Sequence, residues 1–515
     1  MKHSRTLYLH LLCFAILFSC AEKEQPSGEL GKVSITALTL AAAPPMTNAK
    51  INTDYTWEHE LEESLSLQFT HSITSESYFL QINPNDFGSP YEISLPYGSY
   101  QISGETPVSS PSPTLPLKID SQVQVNSRST PLVLEGETDF GLATFSGSRI
   151  QDIEVLVESE RTEVPEKDGI FYSYLQQGEL AKIEIKLVNG KIFHQLVNPE
   201  AFTQYHYDII SSEESSTAVI SESFELKNYT YPLSATGLPS FLAPAKRFAL
   251  PESSTESSGL AFIQGRLFTI NDSGNSNEIL EINPDNGELI RKVKVQNVEN
   301  VDWEDLAQSP THLFIGDFGN NSGNRKDLAV HKIAISDLLN AETVLAETIP
   351  FNFSDQTDFT SAPNQTAFDC ESMVYRENKL YLFTKNWLTG GSSIYMLKDQ
   401  PEVQEAALLG TLEVQGLLTG ADVDAMGNLV LLGYEQSGLQ SSSLLWIIAK
   451  ADLANLTLSG GKKLLLGSPA ILSQTEGVVF VSEKELYISG EKISIGPATV
   501  PGLVHILDLR GYIGE

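Results

Sequence analysis

The 515-residue chain is predicted to be all-β: a β-sandwich region followed by a five-bladed β-propeller, with six blades as the alternative. Three observations predict this. Apolar and polar residues alternate with period two through the N-terminal half, and a strong hairpin turn interrupts them. From about residue 244 one sequence unit recurs along the chain. The two ends of that repeating region complement each other as parts of one blade. The implied division is 1–19 as a signal peptide, 20–30 as anchor and tether, 31–220 as one or two small sandwiches, 221–243 as linker and 244–515 as propeller.

Lys2, His3 and Arg5 precede an apolar run from Leu7 to Phe18. This is the charged-then-apolar pattern of a secretory signal. It is too short to cross a bilayer, which takes about twenty residues as a helix, and no other stretch of the chain is long and apolar enough. Leu17-Phe18-Ser19-Cys20 resembles the lipobox of bacterial lipoproteins. The resemblance implies cleavage before Cys20, its acylation, and a membrane partnership through that lipid alone. Ala21-Glu22-Lys23-Glu24 resembles the export signal of surface-displayed lipoproteins, which points to the outer membrane and its outer face, with the periplasmic face as the alternative. Pro26, Ser27 and Gly28 make the following tether polar and flexible.

The formal charge of −33 repels nucleic acid and anionic membrane surfaces and favours cations or basic partners. Of the three cysteines, Cys13 lies in the signal and Cys20 at the anchor, so Cys370 has no partner for an intrachain disulfide.

In the sandwich region Ile183, Ile185 and Leu187 alternate with Lys182, Glu184 and Lys186, as in a half-buried strand. Asn189-Gly190 then signals a hairpin, because its favoured turn needs positive φ at both residues. Ile153, Val155 and Val157 alternate in the same way, and Leu95-Pro96-Tyr97-Gly98-Ser99-Tyr100 reads as a turn into a strand. The Pro/Ser stretch 106–116 either divides two sandwiches or forms a long loop. The region resembles the fimbrillin-like β-sandwiches that precede functional modules in surface lipoproteins. It shows no clustered ligand residues, so a stalk role is expected. The Ser/Thr/Glu-rich segment 211–223 marks the expected boundary.

The propeller repeat is seen by comparing Ser258-Gly259-Leu260-Ala261 with Glu304-Asp305-Leu306-Ala307, Glu371-Ser372-Met373-Val374 and Glu476-Gly477-Val478-Val479. A second strand follows each, beginning at Leu267, Leu313, Leu380 and Leu486, and a fifth copy reads Gly420-Ala421-Asp422-Val423. The starts recur at intervals of about 46 to 67 residues, the scale of four-stranded blades, and a degenerate blade hidden in the longest interval is what would make six. The last copy shows three strands, and Ala245–Leu250 has the character of the missing outer one.

Asn271-Asp272-Ser273-Gly274, Asp302-Trp303-Glu304-Asp305, Gly316-Asp317-Phe318-Gly319-Asn320 and Gln474-Thr475-Glu476-Gly477 together resemble a phytase-like or esterase-like β-propeller family. That family belongs with the gluconolactonase-like and NHL-type propellers. The resemblance implies a hydrolase, although the basic phosphate pocket of a true phytase is not evident.

In a blade the start of the inner strand and the end of the second strand share one mouth. Glu256, Asp302, Glu304, Asp305, Asp369, Glu371, Gln474 and Glu476 are expected there from inner strands. Asp272, Asp317, Lys385, Tyr434, Glu435 and Glu491 join them from second strands, with Asn271, Asn320, Asn321 and Asn386 nearby. Carboxylates gathered so densely must be protonated, hydrogen-bonded or neutralised by cations. Ca²⁺ suits such oxygen ligands, and Asp272, Glu304, Asp317, Glu371 and Glu476 are its candidate ligands. The alternative is that these residues cap their own turns. Arg325 and Lys385 are the cations able to hold an anionic ligand, or else partners of the carboxylates. Trp303 and Trp387 either flank the mouth or pack within blades, and Cys370 beside Glu371 is a poor nucleophile. The histidines show no metal spacing.

Three functions follow as expectations. One is a surface-anchored propeller that binds a cation together with a glycan or protein. Another is a Ca²⁺-dependent hydrolase acting on a phosphoester or lactone, with Glu304, Glu371, Lys385 and Arg325 as candidate catalytic residues. The third is a structural envelope protein.

Overall fold

A computed structural model describes residues 29–41, 55–158, 160–211, 213–216, 219–435, 441–496 and 498–514. Cys20 and the whole signal segment lie outside the described residues. The described residues divide into two compact units, the first formed by 29–41, 60–108 and 116–138, the second by 55–59, 109–115 and those from 139 onward.

In the first unit a seven-stranded sheet runs in the order Ser77–Ile82, Leu65–His71, Gly98–Glu105, Lys118–Val125, Ser129–Glu137, Leu30–Leu40, Tyr91–Pro96. Leu30–Leu40 lies parallel to Ser129–Glu137, and the rest of its neighbours are antiparallel. Alternate residues face inward, so Val33, Ile35, Leu67, Phe69, Ile102 and Val125 form the core. Strands Gly98–Glu105 and Lys118–Val125 are antiparallel neighbours, which makes 106–116 a long connection between paired strands.

The second unit begins with a sandwich. One sheet holds Glu160–Glu163, Ile150–Val157, Ala181–Leu187 and Ile192–Val197. The other holds Glu166–Lys167, Ile170–Gln176, Phe140–Ser146, Thr203–Ile210 and Glu225–Pro232. The hairpin at Asn189-Gly190 joins two antiparallel strands as expected, but only Gly190 takes a positive φ, 77°, so the turn is not the one with both residues left-handed. The stretch expected as a linker, 221–243, is structured instead. Glu225–Pro232 adds a parallel strand beside Thr203–Ile210, and Ser240 and Leu242 then exchange backbone hydrogen bonds with Leu465 of the propeller. One apolar cluster runs from Ile153, Ile185 and Tyr207 of the sandwich to Val430, Leu432, Leu464 and Ile488 of the propeller. Local composition could not disclose this, because the burial comes from residues distant in sequence.

Among the described residues the propeller has five blades. Their inner strands are Ser257–Ile263, Trp303–Gln308, Asp369–Arg376, Leu417–Val423 and Gln474–Phe480, and each packs on the next around the ring. Ala245–Ala249 pairs antiparallel with Leu503–Asp508 and supplies the outer strand of the last blade, closing the ring as the sequence predicted. The long interval before the third inner strand hides no sixth blade. It contains a short helix, Ile335–Asn340, and the strands Thr343–Val344 and Glu347–Phe353.

Every inner strand carries one unpaired extra residue at the same place. Trp303 pairs with Asp317 and Asp305 with Gly316, leaving Glu304 over. The same irregularity leaves over Glu371, Thr419 and Glu476, and in the first blade falls at Ser258-Gly259. The fifth copy is therefore read one residue too late in the sequence: Thr419, not Gly420, holds the glutamate position. A bulge breaks the two-residue alternation and re-aims the side chain at that point. Gly259 and Gly477 follow the bulge where a Cβ would crowd the neighbouring inner strand.

Candidate functional site

The bulges turn one mouth of the ring into an acidic cup of about 250 Å³. Glu256, Asp272, Glu304, Asn321, Glu371, Lys385, Tyr434, Gln474, Glu476 and Glu491 line it, as strand geometry predicts, and of the two alternatives for Trp387 the structure takes the mouth. Ser257, Ser258 and Asn364 line it as well, unforeseen. Asn364 arrives on the excursion that precedes the third inner strand, which no repeat logic could place.

Asp272, Asp302 and Glu304 each bring a carboxylate oxygen within 4.8 Å of the other two. Their backbones are held by dedicated contacts. Asn300 Nδ2 donates to the carbonyl oxygens of Asn271 at 2.8 Å and Asp272 at 3.0 Å. The N–H groups of Phe318 and Gly319 donate to the Asp302 carbonyl. Gly319 lets the two carboxylates approach the backbone, because a Cβ there would push aside those of both Glu304 and Asp302.

Glu304 is 6% exposed and has no hydrogen-bond or ion-pair partner among the described residues. Burial, then the charges of Glu371 and Asp272, push its carboxyl well above the usual range. Burial and Asp272 raise Asp302 to about 7, and burial likewise raises Asp272. Across the cup, burial raises Glu476 to about 7, and burial with Glu476 raises Glu491 to about 8.

Other sequence candidates are committed elsewhere. Asp317, expected as a metal ligand, accepts Arg325 Nη2 at 2.9 Å and the backbone N–H of Asp302 at 3.1 Å. Burial opposes its charge, but His331 and Arg325 hold it below the ordinary value. Asp317 and Arg325 thus brace the loop that carries Asp302 and Gly319, and Arg325 is not free to clamp an anion. Glu371, also an expected ligand, accepts Lys385 Nζ at 3.1 Å. Burial works against charge on Lys385, yet Glu371 and Glu476 raise it well above its ordinary value. Glu476 accepts Gln474 Nε2 at 2.6 Å. Asp369 accepts the Asn320 N–H and Trp387 Nε1, both at 2.7 Å, which fixes Trp387 as a wall of the cup.

Asp305 turns away from the mouth and accepts the backbone N–H groups of Leu306 and Met373, both at 2.8 Å, stapling the second blade to the third. Glu435 pairs with Lys463 at 3.2 Å and does not line the cup. Trp303 is fully buried among Ile270, Leu306 and Ile315, so it packs the blade and does not flank the mouth. Cys370 is buried, and burial with Asp369 and Glu371 raises its thiol well above the ordinary value, as expected of an inert cysteine.

Asp302 belongs with Asp272 and Glu304, although the sequence ranked Asp317, Glu371 and Glu476 above it as a ligand. A signal was present: the position two before each bulge is Glu256, Asp302, Asp369 or Gln474 in four blades. That recurrence marks a polar row at one mouth but cannot say which member is left unpaired.

No protein-family model matches this chain, and no curated protein matches it. Among solved structures it is similar to a tip fimbrial protein from Porphyromonas gingivalis (9% identity, 35% of this chain and 94% of that one, TM-score 0.22). It is also similar to putative polysaccharide-binding proteins from Bacteroides thetaiotaomicron (10% identity, 41% and 95%, TM-score 0.22). A third is a gluconolactonase from Xanthomonas campestris (11% identity, 64% and 81%, TM-score 0.27).

Proposed function

We propose that the propeller binds one divalent cation, Ca²⁺ by its all-oxygen donor set, at Asp272, Asp302 and Glu304, and through it a neutral hydroxyl-rich ligand such as a glycan. The observation that carries this is Glu304, a buried carboxylate aimed into the cup without a partner. A buried charge left uncompensated is strongly unfavourable, and a cation between three carboxylates removes that penalty. Because Lys385 and Arg325 are engaged by Glu371 and Asp317, the cup has little to offer a phosphoester. A neutral ligand bridging to the cation and resting on Trp387 suits it better.

Calorimetric titration of the full chain with CaCl₂ tests the reading. One ion is expected to bind, and Glu304→Gln to abolish binding while the fold is retained. A wild type indifferent to millimolar Ca²⁺ overturns it.

A second reading, metal-assisted ester hydrolysis, is favoured by one feature. Three carboxylates leave coordination positions open on an ion that takes six to eight oxygens. Glu476 and Glu491 line the same cup. Hydrolysis of a lactone or ester panel that is lost in Glu304→Gln would establish it.

We further propose a lipid anchor at Cys20 that holds the protein at the outer membrane. Cys20→Ser is expected to release it from membranes, and retention after a high-salt wash refutes the anchor.

A further inference from the structure

The cup holds more carboxylates than one ion needs, and its two halves are neutralised differently. On one side Asp272, Asp302 and Glu304 gather without a positive side chain among them. On the other, Lys385 reaches Glu371 at 3.1 Å, both side chains being more than nine-tenths buried. The ammonium also lies 5.1 Å from the Trp387 ring centroid and 5.5 Å from that of Tyr434, so it is held on three sides. The corresponding ends of the second strands carry Asn271, Asp317, Tyr434 and Glu491 in the other blades. Only the third blade places a cation there, directly across from Asp369.

We propose that Lys385 is a tethered cation that stands beside Glu371 where a second ion would otherwise sit, keeps that carboxylate out of the ligand set, and so limits the propeller to a single bound ion. This rests on the cation reading above. A lysine fixed by a carboxylate and two aromatic faces compensates Glu371 permanently, whereas the carboxylates around Glu304 depend on an ion from solution. The asymmetry defines one side of the mouth for the ion and leaves the opposite wall chemically constant. A ligand bridging to the ion would therefore always meet the same ammonium and aromatic faces.

The test is Ca²⁺ stoichiometry, measured on the full chain by equilibrium dialysis and by calorimetric titration with CaCl₂. Wild type is expected to bind one ion. Lys385→Met, which keeps much of the buried stem, is expected to bind two, and the double variant Lys385→Met with Glu371→Gln to return to one. Glu371→Gln alone should bind one ion with affinity changed less than about fivefold, a difference of roughly 1 kcal/mol. If Lys385→Met does not fold, Glu371→Gln decides alone. A loss of more than about a hundredfold there would make Glu371 a direct ligand and overturn the proposal. Two ions in wild type, or one in a folded Lys385→Met, would also overturn it. No ion in wild type would instead remove the cation reading itself.

Discussion

Asp302→Asn separates a cation site from an ordinary cluster of turn-capping carboxylates. Burial and the Asp272 charge raise the Asp302 carboxyl from its ordinary 3.8 to about 7. A carboxyl whose folded value is raised binds a proton more readily in the folded state. Its contribution to stability is therefore intact below about pH 4 and is lost as pH rises through about 7. Three pKa units correspond to about 4 kcal/mol. That is an upper figure, because Asp302 shares the site with Asp272 and keeps some contact with water. In the presence of EDTA, Asp302→Asn should melt close to wild type at pH 4 and higher than wild type at pH 8. Saturating Ca²⁺ should reverse the order at pH 8. The ion stabilises only wild type, by about 2.7 kcal/mol at a hundred times Kd. Differential scanning calorimetry of the two proteins at pH 4, 6 and 8, with and without Ca²⁺, reads this directly. Equal melting temperatures at pH 8 in EDTA would refute the reasoning, because Asp302 would then carry no buried-charge penalty for an ion to relieve.

Gly319→Ala drives a methyl group into the Glu304 and Asp302 carboxylates, and overpacking of this kind costs about 1–3 kcal/mol. Titration calorimetry should show weakened Ca²⁺ binding with the fold preserved. Phe248→Ala strips a buried ring from the strand that closes the last blade and should cost about 3–5 kcal/mol in denaturant melts. Asp508 pairs with Arg510 and accepts from His194 at 3.3 Å; despite burial, these partners hold its carboxyl well below the ordinary value. That stability is present above about pH 4 and is lost as pH falls through the depressed folded value. Asp508→Asn should cost about 1–3 kcal/mol at pH 7, as expected when charged hydrogen bonds to a buried acceptor are lost, and should flatten the acid limb of a melting-temperature profile.

The five-blade ring was legible because a repeat is a local property written several times. Glu304, Glu371 and Glu476 announced one position, and the outer-strand character of Ala245–Leu250 announced closure. The composition of the cup was legible for a similar reason. Strand direction alone puts the ends of second strands beside the starts of inner ones, which placed Asp272, Lys385, Tyr434 and Glu491 around one cavity.

Pairing within the cup was not legible. Asp317 and Glu371 looked like ligands of equal standing with Glu304. Which carboxylate meets Arg325, which meets Lys385 and which is left without a partner among the described residues is decided by side-chain reach of about 3 Å within single blades. Strand pattern places these side chains at one mouth, but it does not encode which of them come within contact distance. The segment 221–243 looked like a linker for the same reason, since Glu225–Pro232 is only a strand beside Thr203–Ile210. Sequence by itself determined the all-β architecture, the number of repeats and the acidic character of one mouth, because periodicity and charge act locally. The tertiary structure alone decided that Asp272, Asp302 and Glu304 gather with no cationic side chain among them while Lys385 pairs with Glu371, because burial and pairing arise only when the strands pack and the blades close.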